Sequence, residues 1–128
     1  MLVDSLSTYC RQYRLAGMGF HHLDAMPKEF VTPRHSAAYG ELLTGQGLEL
    51  GRLRFKQGQG AERHRHPQEQ ILYVVRGRVQ VELDGDAADL GPGDAFHAPP
   101  DVPHRLTALE DSEVISCKTL FEGVGHRI

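Results

Sequence analysis

Residues 58–77 read GQGAERHRHPQEQILYVVRG and residues 93–104 read GDAFHAPPDVPH, and these two stretches decide how the chain is read. Each opens on a glycine and carries a histidine beside a proline. Residues 71–75 form a continuous apolar run, too short for a buried helix and rich in β-branched side chains. That predicts a strand covered on both faces. Pro99, Pro100 and Pro103 exclude both a helix and a regular central strand from the second stretch.

Working outward, the text stays β. Residues 39–43 lead into the turn-like TGQG, and residues 48–56 then alternate, with Leu53 and Phe55 on one side and Arg52, Arg54 and Lys56 on the other. A period of two fits a half-buried strand. Val79, Val81 and Leu83 alternate with Arg78, Gln80 and Glu82, and Asp84-Gly85 supplies the positive-φ pair of a tight hairpin turn. Residues 106–109 and 114–120 complete the strands. Turns every eight to twelve residues predict an antiparallel, all-β sandwich or barrel. Leu2, Leu6, Tyr9, Tyr13 and Met18 sit at helical intervals, so residues 1–37 are expected to form a short N-terminal arm or helix, residues 38–122 the barrel, and residues 123–128 a C-terminal tail.

At 128 residues the chain holds one core, and its net charge of −3 favours neither nucleic acid nor an anionic membrane as partner. No signal peptide and no apolar run long enough to span a bilayer are visible, and Cys10 and Cys117 form no C-x-x-C pair. A soluble cytoplasmic protein with reduced thiols is expected. Eight histidines stand beside no Trp and only four Tyr, and histidine is the commonest metal ligand.

His64 and His66 leave one face of a strand about 6.5–7 Å apart, close enough for both imidazoles to approach one ion. Gln70 opens the next strand, where its carboxamide oxygen can serve as a third donor. His104, after the proline turn, comes from a strand on the far side of the barrel as the fourth. Three segments supplying four ligands leave room for water or substrate. Such a set suits one divalent transition metal, whether Zn, Ni, Mn, Fe or Cu. Glu69 is the rival to Gln70, but strand alternation turns it away if Gln70 points inward. Leu72 and Val74 share the parity of Gln70 and predict an apolar pocket wall. Tyr73 reads as a core or interface aromatic, His97 as an outlying or exposed residue, and Arg52 and Arg54 as a solvated face that could also line a mouth for carboxylates. His21, His22, His35 and His126 belong to no visible constellation.

These motifs resemble those of the cupin superfamily. Its first motif, G-x5-H-x-H-x3,4-E-x6-G, is met by Gly58, His64, His66, Gln70 and Gly77. Its second, G-x5-P-x-G-x2-H-x3-N, is met by Gly93, Pro99 and His104, with Asp101 and Ala108 in place of Gly and Asn. The resemblance covers residues 38–120 and implies a double-stranded β-helix (a jelly-roll barrel), a metal deep in the barrel, a small-molecule ligand or substrate, and a homodimer. Asp101 can occupy a positive-φ turn position. Gln70 in place of Glu leaves a divalent ion its full charge. That favours Lewis-acid work on an anionic carbonyl, hydroxy-acid or sugar-acid substrate by an isomerase, lyase or cyclase. An iron-dependent dioxygenase and a non-catalytic binding or sensing module are the alternatives. Small members with the His-His-Gln-His pattern include uronate-linearising enzymes and polyketide cyclases. The string 93–111 looks like the former, whereas the last strand departs from it at Cys117, Thr119 and Gly123.

Overall fold

A computed structural model of the chain describes residues 18–128. The helical spacing noted at Leu2, Leu6, Tyr9 and Tyr13 lies outside the described residues, as does Cys10. A single 3₁₀ turn, Leu23–Ala25, precedes ten strands. They are β1 (Glu29–Phe30), β2 (Tyr39–Thr44), β3 (Leu48–Phe55), β4 (Gly60–His64), β5 (Gln70–Arg76), β6 (Val79–Leu83), β7 (Asp86–Leu90), β8 (Ala95–Ala98), β9 (His104–Ala108) and β10 (Ser112–Thr119).

Two antiparallel sheets face each other. One has six strands in the order β1-β2-β3-β10-β5-β8, the other four in the order β4-β9-β6-β7. From β3 to β10 the chain crosses between the sheets at every step except the β6–β7 hairpin, as in a jelly roll. β4 lies in one sheet and β5 in the other, so the turn at Pro67 carries the chain across the barrel. Inward residues of both sheets, among them Leu53, Leu72, Val74, Val79, Phe96 and Val114, fill the space between. Truncating one of them, Leu72→Ala for example, costs about 2–5 kcal/mol through lost transfer energy and the cavity left behind.

The turns follow the residues that permit them. Asp84 and Gly85, at φ 48° and 88°, close the β6–β7 hairpin with Leu83 opposite Asp86. Asp101 sits at φ 63°, the left-handed conformation expected of it. Gly77 is required twice over. Its φ is 89°, and a Cβ there would press on the Ser112 hydroxyl and the Asp111 carbonyl.

Three expectations need correction. The run 71–75 is not covered on both faces: Ile71, Tyr73 and Val75 are 51%, 46% and 43% exposed, while Leu72 and Val74 are buried. A continuous apolar run cannot by itself distinguish a doubly covered strand from one whose outer face is apolar. The segment 123–128 does not hang free as a tail. His126 is 2% exposed, its backbone and ring bind the Glu49 carboxylate, and Thr32 Oγ1 donates to its carbonyl. Arg52 and Arg54 are no simple solvated face. They pack around Glu41, whose side chain has no exposure, and Lys28 and Asp24 complete that ion cluster on the outer side of β2 and β3.

Candidate metal centre

Register brings His64 and His104 together. β4 pairs with β9 so that the two histidines stand directly opposite, which corrects the expectation that His104 comes from the far side of the barrel. It comes from the adjacent strand of the same sheet, and Gln70 is the donor that reaches in from the other sheet. His66 follows β4, and its carbonyl accepts from the Asp101 N–H at 2.8 Å, which ties the two motif loops together.

The hydrogen bonds settle which nitrogen each ring turns inward. His64 Nδ1–H donates to the Glu62 carbonyl at 2.7 Å, His66 Nδ1–H to the Gln68 carbonyl at 2.9 Å, and His104 Nδ1–H to the Val102 carbonyl at 2.8 Å. A carbonyl only accepts, so each neutral ring carries its proton on Nδ1 and presents the Nε2 lone pair. The three histidines have donor atoms within 4.8 Å of one another. With bonds of about 2.1 Å, two nitrogens on opposite sides of one ion stand about 4.2 Å apart, so small side-chain movements close the set.

Burial keeps the rings neutral. It pushes His64 down to about 4 and His66 to about 3, and it lowers His104 as well, with the Lys118 charge acting in the same direction on all three. His104 Nε2 is buried with no hydrogen-bond partner. His66 Nε2 lies 3.3 Å from Gln70 Oε1. Two acceptors that close repel unless a cation stands between them or beside them. An orphaned lone pair and a facing pair of acceptors fit a metal ion, and the neutral N,N,N,O donor set suits a divalent transition metal.

The orientation of Gln70 is held from behind. Its Nε2 donates to Ser116 Oγ at 2.9 Å, Ser116 O–H donates to His126 Nε2 at 2.9 Å, and His126 Nδ1–H donates to Glu49 Oε1 at 2.6 Å. Thr44 Oγ1 donates to the other Glu49 oxygen at 2.6 Å. Although burial raises it, these bonds hold the Glu49 carboxyl down to about 2. The amide's donor end is thereby occupied, and its oxygen faces the imidazoles.

Glu69, the rival, is 46% exposed and accepts from His97 Nε2 at 2.7 Å, away from the cluster. Tyr73 lies on the outer face of β5. Arg52 and Arg54 line the ion cluster around Glu41 and not the mouth of this pocket. On the last strand the inward residues are Ser112, Val114, Ser116 and Lys118, so Cys117 and Thr119 turn outward.

Five participants escaped the sequence reading, the first of them Ser116 of the relay. His126 and Glu49 complete the relay behind Gln70, His35 stacks on His64 with ring centroids 5.2 Å apart at 4°, and Lys118 lines the same cavity. Burial lowers the Lys118 ammonium to about 8 against the opposing pull of Glu49. The parity of residues 112–118 places Ser116 and Lys118 inside; nothing local marks Glu49, His126 or His35.

Residues 51–116, more than half of the chain, match the family described as Cupin domain. The chain belongs to the cupin family. Among solved structures it is similar to KdgF from Halomonas sp., at 33% identity over 79% of this chain and 92% of that one, with a TM-score of 0.70. It is also similar to an RmlC-like cupin from Shewanella frigidimarina NCIMB 400, at 25% identity over 78% of this chain and 88% of that one, with a TM-score of 0.71. A curated relative, Polyketide synthase CurC from Streptomyces cyaneus, is 34% identical over 65 residues, which are 50% of this chain and 42% of the relative. The chain thus spans less than half the length of that relative.

Proposed function

We propose that this cupin is a metal-dependent enzyme acting on a small carbonyl, hydroxy-acid or sugar-acid substrate, as an isomerase, lyase or cyclase. One observation carries the reading: three Nε2 lone pairs and the Gln70 carboxamide oxygen converge in one buried pocket with every other polar end of those side chains already bonded. Held by His64, His66, Gln70 and His104, a divalent ion would supply Lewis-acid polarisation of substrate oxygens. All four donors are neutral. The ion would keep its full charge, which favours an anionic substrate and disfavours the higher oxidation states of a dioxygenase.

The protein's own residues do the rest. The Glu49–His126–Ser116 relay keeps the Gln70 oxygen turned inward, and Leu72, Phe96 and Leu106 give the cavity an apolar wall. Its volume of about 50 Å³ admits a few heavy atoms, so the oxygenated head of a substrate enters and any remainder stays at the mouth.

Among the described residues no helix is long and apolar enough to cross a membrane; the cytoplasmic location drawn from the sequence is part of this proposal. So is the homodimer, supported by the uncovered apolar row Ile71, Tyr73 and Val75 on the outer face of β5.

Elemental analysis of untagged protein from its native host, followed by assay against a panel of uronates, hydroxy acids and 1,3-dicarbonyls, tests the reading. It predicts metal-dependent conversion without oxygen uptake. Oxygen consumption by Fe(II)-loaded protein would instead establish the dioxygenase, and acid binding without conversion a sensing module.

A further inference from the structure

Among the described residues Lys118 is the one buried cation lining this pocket, and the mechanism above leaves it unused. It lies on the inward face of β10, opposite Gln70 of β5 and Glu49 of β3. It lines the same cavity as His64, Gln70 and His104, and it is 3% exposed. It makes no hydrogen bond or ion pair with any described residue. Glu49, the carboxylate on the neighbouring strand, is already engaged: one oxygen accepts from the His126 backbone N–H at 2.7 Å and from its ring, the other from Thr44.

An ammonium largely withdrawn from water and without a directly bonded counter-ion is costly, even with the Glu49 carboxylate acting on it from the neighbouring strand. Three neutral imidazoles and a neutral amide do nothing to balance it. Metal loading would add further positive charge. The pocket therefore lacks an anion placed to accept from Lys118, and its size restricts such a group to a small one.

We propose that Lys118 is an anion-holding, specificity-determining residue of this site, binding a carboxylate oxygen of a 2-hydroxy or 2-oxo acid whose remaining oxygens face the His64, His66, His104 and Gln70 donors. The inference rests on the metal-dependent reading for the second half of that contact and is independent of it for the first. An acid is preferred over its neutral amide because only the acid neutralises the ammonium and accepts its hydrogen bonds.

The test uses pyruvate and lactate as probes, lactamide as the uncharged comparison, and the wild type beside Lys118→Met, Lys118→Gln and Lys118→Arg. Calorimetric titration of zinc-loaded protein is expected to show both acids binding about tenfold or more weakly to the Met and Gln variants. Lactamide binding and zinc content should not change, and Lys118→Arg should recover part of the acid affinity. Metal-free protein gives the separate arm: pyruvate should raise the melting temperature of the wild type and of Lys118→Arg, and leave the other two unmoved. Acid binding that ignores Lys118→Met, or wild-type protein that binds neither acid in either form, overturns the proposal. A wild type that takes up no zinc but is stabilised by pyruvate only through Lys118 upholds the lysine and defeats the metal reading.

Discussion

Two buried polar clusters lie on opposite faces of the six-stranded sheet, and they are built to opposite rules. On the outer face, the Glu41 carboxylate has no exposure and is answered by Lys28 at 3.2 Å, Arg52 at 3.3 Å and Arg54 at 3.4 Å. Burial works against its ionised form, yet these partners hold it down to about 2. On the inner face, His64, His66 and His104 satisfy their outer nitrogens and leave the inner ones facing each other. The first cluster is complete without a ligand, and its role is to pin residues 24–28 against β2 and β3. The second leaves donor atoms that could hold a metal ion. Burial of polar groups marks neither case; what distinguishes a site from a fastening is whether lone pairs or charges are left over.

The contrast can be broken from either side. Ser116→Ala should have a large effect at the inner cluster, since it frees the Gln70 amide to flip. Metal affinity is expected to fall about 10- to 100-fold, measured by competition with a chelating dye, with little change in the fold. Glu41→Gln should do the reverse. It strips charge from the outer cluster and lowers unfolding free energy in urea by about 2 kcal/mol, while metal affinity stays at the wild-type value.

Acidity separates the clusters next. Unfolded histidine takes a proton near 6.5, whereas folded His64 and His66 refuse it until about 4 and 3. Between those values the unfolded chain binds more protons, so metal-free protein loses stability as pH falls from about 6.5 toward 4. Glu41, held at about 2 against an ordinary 4.5, contributes fully down to about 4.5 and loses that contribution as pH falls from there toward 2. Melting temperatures between pH 7 and 4 should therefore drop in the wild type and in Glu41→Gln alike, and drop less in His64→Ala/His104→Ala. The smallest effect belongs to Glu69→Gln. It removes an exposed pair with His97, worth under about 1 kcal/mol, and should leave both stability and metal affinity where they are.

The pattern of what the sequence revealed has a physical reason. Spacing within one strand or turn is local, so His64, His66, Gln70 and the positive φ of Asp101 could be read from their neighbours. Partners chosen by sheet register are not local. His126 meets Glu49 across 77 positions, and no nearby residue hints at it. His35 finds His64 only because the Ser36–Ala61 bridge lays its segment beside β4. The parity of β10 was legible once Val114 was set inside. That parity puts Cys117 and Thr119 outside and Lys118 inside. The apolar run 71–75 misled for a different reason: hydrophobicity shows what a face tolerates, and only the fold shows what covers it.

Titration of metal-free protein with Zn(II) or Ni(II) tests most directly whether the inward lone pairs form one site. Wild-type protein should bind a single ion per chain, with the His64→Ala/His104→Ala variant, still folded by circular dichroism, binding none with comparable affinity. Equal stoichiometry and affinity in both proteins would contradict the account, because the ion would then be held elsewhere.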